Sequence, residues 1–300
     1  MCVPSSNVWF MGPDLVHLRS FLEVHERGTV AAAAAALGYT PPAVTQQLAK
    51  LERGLGVRLF DRAGGRLSLS DAGRALVPVA QELLALAAHA ADVVHEAPPR
   101  QRVVVSGIAS ALSAVVVPAL ARLRDRADVV LVEAEDAGAL RELRLGHVEV
   151  AMVQEYPGDE ALRDARLHHH VVATDALRLV LPPEWPATTR LRDLGGLPWI
   201  VNGTGTRCEA ATRRVLEGAR LDATVRADVS DNELLLRLVA QGYGATIVPD
   251  LVLAQTGADV TVSTERLGVA RTLLAVTRRH PTAATAAVVA ELRPASLRKV

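Results

Sequence analysis

Apolar positions along residues 14–26 recur at Leu15, Leu18, Phe21 and Leu22, a spacing that gathers them on one face of a helix. Thr29 then offers an N-cap, Val30, Ala33, Ala34 and Leu37 repeat at helical spacing, and Gly38 supplies a stop. Thr40 caps a third helix with Pro41 at its first position, where a missing N–H costs nothing. In it Val44, Leu48, Leu51 and Leu55 share one face, and Gly56 ends it. Three short helices, the last two joined by a tight glycine-containing turn, predict a helix-turn-helix over residues 30–49. The stretch "VRLFDRAGGRLSLS" alternates apolar and polar around Gly64 and Gly65, the pattern of a small hairpin or wing.

A long helix follows. From Asp71 to about Glu96 no glycine comes after Gly73, and the single proline, Pro78, sits in the first turns. Leu76, Ala80, Leu83, Ala87, Ala90 and Val94 alternate at spacings of four and three, a heptad seam suited to a partner helix. The same pattern also suits an amphipathic helix packed on its own domain. "APPRQ", residues 97–101, breaks the helix and reads as a linker.

Beyond Arg102 short β-branched runs alternate with helices. "RVVVSG", "ADVVLVEA", "VEVAMV", "RLVLP", "PWIVN", "ATIVP" and "RTLLAVT" are the strand candidates. Helices are expected near residues 110–125, 137–145, 206–219, 231–241 and 281–293. This alternation predicts doubly wound α/β structure, and nearly 200 residues of it make two lobes.

Composition adds less than pattern. Half of the 300 residues are apolar, enough for sizeable cores, and formal charge sums to zero, so any basic surface has to be local. Of the 33 basic residues only Lys50 and Lys299 are lysines, a codon-bias signature without functional weight. Cys2 and Cys208 are too few for a disulfide framework or a zinc site and suit a reducing compartment. No apolar run reaches the roughly 18 residues that span a bilayer. Residues 1–13 lack the features of a signal peptide, and Met11 is a second candidate start. The expectation is a cytoplasmic protein with no membrane partner.

The third helix carries the first chemical signal. With Val44, Leu48, Leu51 and Leu55 inward, Pro42, Gln46, Ala49 and Arg53 lie opposite, with Thr45, Gln47 and Lys50 on the flanks. Such a face fits a DNA major groove, where Gln reads adenine and Arg or Lys reads guanine or holds phosphate. From Thr40 to Arg74 there are six basic residues (Lys50, Arg53, Arg58, Arg62, Arg66 and Arg74) against three acidic ones, so the basic excess falls where the groove helix is. A solvated helix in a small bundle would explain the charge but not the helix, turn, helix and wing order. Thr40, Arg62 and Arg66 complete the expected DNA-contacting set. The alanine run is explained in part, because Ala33 and Ala34 let helices two and three cross closely; Ala31, Ala32, Ala35 and Ala36 are not explained by that argument.

Residues 14–73 resemble the N-terminal signature of LysR-type transcriptional regulators, through "AA..LG", "AV..Q...LE..LG..LF.R" and "L(S/T)..G" at their usual spacings. The resemblance extends over residues 14–297. It implies a multidomain α and α/β protein: an N-terminal winged helix-turn-helix, a long linker helix and a C-terminal two-lobed α/β effector domain of periplasmic-binding-protein type. The implied division is a disordered tail at 1–13, a DNA-binding domain at 14–71, a linker or dimerisation helix at 72–96 and an effector domain at 102–297. Lobe I takes 102–161 plus 266–297, and lobe II takes 162–265. Pro41 stands where the family often has Gln, and an alanine replaces a polar or basic residue usual in helix two, so the operator is expected to differ from those of relatives.

The resemblance also implies a small-molecule effector between the lobes, near "SGIASALS" and "NGTGT". Ser110, Asn202, Gly203, Thr204 and Thr206 are the candidate contacts, since backbone N–H groups at helix starts hold carboxylates and the hydroxyls add donors. Ser110 and Thr206 are equally readable as plain N-caps. Family members often carry a second hydroxyl near Ala109 or Ala111, which is absent here. The implied partners are double-stranded DNA, the effector, a second copy in a homodimer that pairs further into a homotetramer, and RNA polymerase.

Competing motifs fail on chemistry. "GTGTRC" breaks the G-x-G-x-x-G pattern at Cys208. His168, His169 and His170 point to alternate faces of a strand and have no carboxylate or thiol cluster with them, so neither a metal nor another cofactor is expected. No Ser-His-Asp or Cys-His set can be assembled from spacing, so no catalytic residues and no enzyme activity are expected. The alternative from another class is a solute-binding module with DNA binding secondary. It predicts ligand affinity without salt-sensitive DNA retention.

Overall fold

The computed structural model describes residues 13–63, 66–94, 101–159, 164 and 166–292. The expected tail, the linker at 97–100 and the hairpin tip at Gly64 and Gly65 lie outside the described residues. The chain divides into two compact units, residues 1–98 with 141–147 and residues 99–140 with 148–300.

The first unit opens with three helices whose ends follow from local chemistry. Helix α1 (Leu15–Arg27) starts where Asp14 accepts from the Val16 N–H at 2.8 Å. Helix α2 (Val30–Leu37) is capped by Thr29 and helix α3 (Pro41–Leu55) by Thr40; each hydroxyl accepts an N–H of the first turn. Gly38 and Gly56 close α2 and α3 at φ of 68° and 70°, in the left-handed region that only glycine enters cheaply. Leu18, Phe21, Leu22, Ala33, Ala34, Val44, Leu48 and Leu51 form one buried cluster. Each fully buried Leu or Phe contributes about 1.5–3 kcal/mol there. Leu15 is a correction to the expected α1 face, because it stays exposed. The remaining four alanines of the run are exposed, so their role is helix propensity alone.

The wing pairs β1 (Phe60–Ala63) with β2 (Arg66–Leu69) in antiparallel register, Phe60 opposite Leu69. Phe60 stacks obliquely on Phe21, ring centroids 5.4 Å apart, which ties the hairpin to α1. The chain then enters α4 (Asp71–Val94) at Gly73, where any side chain would meet the Leu59 carbonyl oxygen, because a Cβ built there falls 2.1 Å from it. That close approach is the physical content of the glycine in the "L(S/T)..G" motif.

In the second unit three parallel strands lead: β3 (Gln101–Gly107), β4 (Ala127–Glu133) and β5 (Val150–Glu155). Between β3 and β4 run α5 (Ala109–Ala111), a π-helical turn (Leu112–Val116) and α6 (Val117–Leu123), and α7 (Asp136–Leu145) leads to β5. The long strand β6 (Leu167–Leu181) leaves this lobe. After it come β7 (Trp199–Val201), α8 (Arg207–Gly218), β8 (Val225–Asp228), α9 (Asn232–Ala240), β9 (Thr246–Pro249), α10 (Asp250–Leu253) and β10 (Thr261–Val262). Strand β11 (Ala270–Arg278) and α11 (Ala283–Glu291) return to the first lobe.

Strand β6 joins the two lobes. Its first part pairs with β11 from Leu167 to Ala176, and its last residues pair with β9 and β10. The expected strand "RLVLP" is thus only the end of a 15-residue element. One core packs Val103, Val105, Leu112, Val116, Met152, Leu273 and Val288 between sheet and helices. Two further clusters hold the second lobe, one around Trp199, Leu179 and Ile247 and one around Ile200, Leu235 and Val248. The short strand β8 and the helix α10 carry too little pattern to be seen in sequence.

Candidate nucleic-acid interface and ligand cleft

On α3 the burial of Val44, Leu48 and Leu51 fixes the rotation of the helix and leaves Pro42, Thr45, Gln46, Ala49, Lys50 and Arg53 exposed. Thr45 donates its hydroxyl to the Pro41 carbonyl at 2.9 Å, and Arg53 Nε donates to the Ala49 carbonyl at 3.2 Å, so both side chains lie along the helix surface. Gln46 and Lys50 extend from the same face. Gln47 does not belong to it. Its Oε1 accepts from the Ser20 hydroxyl at 2.5 Å, which holds it in the α1–α3 contact. Thr40 lends its hydroxyl oxygen to the Ala43 N–H as the cap of α3. The side chains of Arg62 and Arg66 lie outside the described ones.

The seam assigned to α4 is also corrected. Ala80 is fully buried in the first unit's own cluster beside Val77, with Leu76 and Leu84 packed against it. The exposed apolar positions are Val79, Leu83 and Leu86, at 49%, 36% and 61% exposure, followed by Ala90 at the same four-three-four spacing. Ala87 lines a groove with Leu15, Val16 and Leu84, and the side chain of Val94 lies outside the described ones. The outward stripe is therefore rotated by about one residue from the seam read in sequence.

In the second unit a cleft lies at the carboxyl ends of β3 and β4, where open α/β sheets hold their ligands. An outer chamber of about 500 Å³ and an inner recess of about 80 Å³ share Ala109, Ser110, Glu133, Ser230, Asn232 and Val252 as walls. Asn202 and Thr206 line the recess too. Ser110 is not an N-cap, since Ile108 holds that position; its buried hydroxyl accepts from Arg271 Nη1 at 3.0 Å. Thr206 caps α8, accepting from the Glu209 N–H and donating to the Asn202 carbonyl at 2.7 Å. Asn202 donates to Asn232 Oδ1 at 2.7 Å. Thr204 is turned away, with its amide and hydroxyl both on the Asp228 carboxylate, and Gly203, at φ 58°, packs on Ser230; neither lines the cleft.

Arg271 is the buried residue that sequence reading missed. It is 2% exposed and binds Asp175 Oδ2 through Nε at 2.8 Å, and its Nη1 also donates to Gln154 Oε1 at 3.0 Å. Asp136, at the start of α7, accepts from the Gln154 N–H at 3.2 Å and faces Arg207 at 3.5 Å. Burial dominates its surroundings and pushes its carboxyl up to about 7, opposed by that N–H and by the Arg207 charge. Cys208 is buried, and burial pushes its thiol up. Among the described residues no group of three or more His, Cys, Asp or Glu side chains is placed to hold a metal; His168 and His170 share one strand face with ring centroids 6.3 Å apart.

A family model described as "Bacterial regulatory helix-turn-helix protein, lysR family" matches residues 15–74, and "LysR substrate binding domain" matches residues 96–296. The chain belongs to the LysR family. It is a LysR-type DNA-binding transcriptional regulator with a substrate-binding effector domain. Among curated LysR-type relatives, a probable hydrogen peroxide-inducible genes activator of Mycobacterium leprae is 27% identical over 86% of this chain and 83% of its own length. An uncharacterized HTH-type transcriptional regulator of Azotobacter vinelandii is 45% identical over 73 residues, covering 24% of this chain and 51% of its own. A full-length OxyR from Pseudomonas aeruginosa shares the fold at a TM-score of 0.64 and 19% identity, covering 94% of this chain and 98% of that one. Full-length CbnR, solved in complex with its target DNA, shares it at 0.53 and 22% identity, over 93% and 98%. The two candidate sites of this LysR-type chain are the exposed polar face of α3 in one unit and the cleft in the other. No described helix is long and apolar enough to cross a membrane.

Proposed function

We propose that this regulator reads duplex DNA with the exposed face of α3, through Pro42, Thr45, Gln46, Ala49, Lys50 and Arg53, with Arg62 and Arg66 on the wing contacting phosphate. The observation that carries this reading is the rotation of α3: burying Val44, Leu48 and Leu51 leaves a polar, lightly basic face outward. Two copies pair through α4, whose exposed stripe of Val79, Leu83 and Leu86 suits a second copy of the same helix. Dimers pair into tetramers, as the family pattern implies, and the assembly acts in the cytoplasm on promoter DNA with RNA polymerase and without catalysis of its own.

A small molecule occupies the cleft against Ser110, Asn202 and Thr206, and its binding shifts the lobes and with them the spacing imposed on DNA. The buried Cys208 has no redox role in this reading. Burial pushes its thiol up, away from the thiolate that is the reactive species.

The test is selection of bound genomic fragments by the full-length protein, followed by titration at rising salt. A recovered palindromic operator whose affinity falls steeply with salt supports the reading. Recovery of no common sequence at low salt would overturn it.

A further inference from the structure

The recess brings hydrogen-bond donors and carboxylates together in one lining. Arg271, its guanidinium buried, uses Nε and Nη1 on Asp175, Ser110 and Gln154. Its Nη2 lies 2.7 Å from the Asp175 oxygen that Nε already binds, yet makes no hydrogen bond. The Gln154 amide accepts from Arg271 and Tyr156 through Oε1, and its NH2 donates to nothing among the described residues. Ser110 accepts from Arg271 and keeps its own O–H to donate. Among the described residues, the Gln154 NH2 and the Ser110 O–H thus have no acceptor, and Arg271 Nη2 has only its ion pair with Asp175.

Glu133 and Glu135 line the same recess, and neither carboxylate makes a hydrogen bond or ion pair among the described residues. The remaining carboxylates of the outer chamber are committed, since Asp231 caps α9 and Glu233 binds Arg237 at 2.9 Å. Arg271, the one cation in the recess lining among the described residues, is already paired with Asp175. A simple carboxylate ligand would leave the two glutamates of the same recess unpaired. A simple amine would leave the Arg271, Gln154 and Ser110 donors empty. A ligand carrying both groups answers both the donors and the carboxylates.

We propose that the cleft takes an α-amino acid, its carboxylate against Arg271, Gln154 and Ser110 and its ammonium against Glu133 and Glu135. The recess of about 80 Å³ holds the head group, and the chamber of about 500 Å³, with Ser113, Gln255 and Thr256 in its wall, holds a side chain. The proposal rests on the reading of this cleft as the effector site.

Calorimetric titration of the full-length protein with each standard amino acid tests it, every responder being compared with its deaminated carboxylate and its decarboxylated amine. An amino acid is expected to bind at least about tenfold tighter than either truncated partner. Glu133→Gln, at an exposed and unpaired position, is expected to weaken the amino acid about tenfold and leave the carboxylate analogue unchanged. Equal affinity for amino acid and carboxylate, with no effect of Glu133→Gln, would overturn the zwitterion assignment and leave the cleft reading standing. So would the absence of binding by any amino acid up to about 10 mM. Ala109→Trp, at an exposed position that fills the cleft, is expected to remove binding altogether; binding that survives it would overturn the cleft reading itself.

Discussion

Glu52 Oε1 accepts a hydrogen bond from the Leu59 backbone N–H at 2.8 Å and from the Phe60 N–H at 3.4 Å. The glutamate of the "LE..LG" motif thus ties the end of α3 to the first strand of the wing. Glu52→Ala leaves two amides without an acceptor and is expected to lower stability by about 1–2 kcal/mol. Glu52→Gln keeps the oxygen and is expected to recover most of it. Urea denaturation of both variants checks this, and an alanine variant as stable as the parent would show that water replaces the carboxylate at no cost.

The exposed face of α3 separates two glutamines that the sequence reading places together in the DNA-contacting set, Gln46 opposite the core and Gln47 on a flank. Gln46→Ala and Arg53→Ala are each expected to cost about 1–3 kcal/mol of discrimination between operator and mutated operator. Gln47→Ala is expected to lower stability, through the lost Ser20 contact, and to leave discrimination intact. Footprinting on an operator series and a melting curve for each variant separate the outcomes. A specificity change in the Gln47 variant without loss of stability would place that side chain in the groove instead.

On α4 the corrected stripe makes a paired prediction. Leu83→Asp with Leu86→Asp is expected to yield folded monomers, because both side chains face outward. Ala80→Asp buries a charge in the first unit's core and is expected to unfold that unit. Sedimentation velocity and circular dichroism read the two effects. A Leu83 and Leu86 double variant that still sediments as the parent oligomer would move the pairing surface elsewhere.

What could be read from the chain divides by the range of the interactions involved. The caps at Thr29 and Thr40 and the stops at Gly38 and Gly56 were legible because a cap binds an N–H within three residues. Ala80 was misplaced because a four-three pattern marks a helix face without saying whether the covering surface belongs to the same chain. Arg271 was not found because its partners Ser110, Gln154 and Asp175 lie 161, 117 and 96 residues away. One local signal existed: Arg271 opens the apolar strand "RTLLAVT", and a charged side chain entering a buried strand requires a partner. Glu133 gave no such signal, since a glutamate at a strand end is ordinary. Only the convergence of three strand ends made it part of a site.

Asp136 supplies a pH dependence whose sign follows from its raised carboxyl. In the folded chain it holds its proton up to about 7, whereas unfolded it releases the proton near 3.8. Between those values the folded state binds more protons, so this residue's contribution is complete below the lower value and is lost as pH rises through about 7. The full shift corresponds to at most about 4 kcal/mol. Asp136→Asn retains an oxygen for the Gln154 N–H and cannot ionise, and Arg207 keeps its 2.8 Å contact with Asp159. The variant is therefore expected to match the parent near pH 3.5, below both values, and to exceed its stability by about 1–4 kcal/mol at pH 8. Denaturation curves at both values measure the difference. Parallel pH profiles for parent and variant would show that Asp136 is ionised in the folded protein, with the Arg207 charge outweighing the burial.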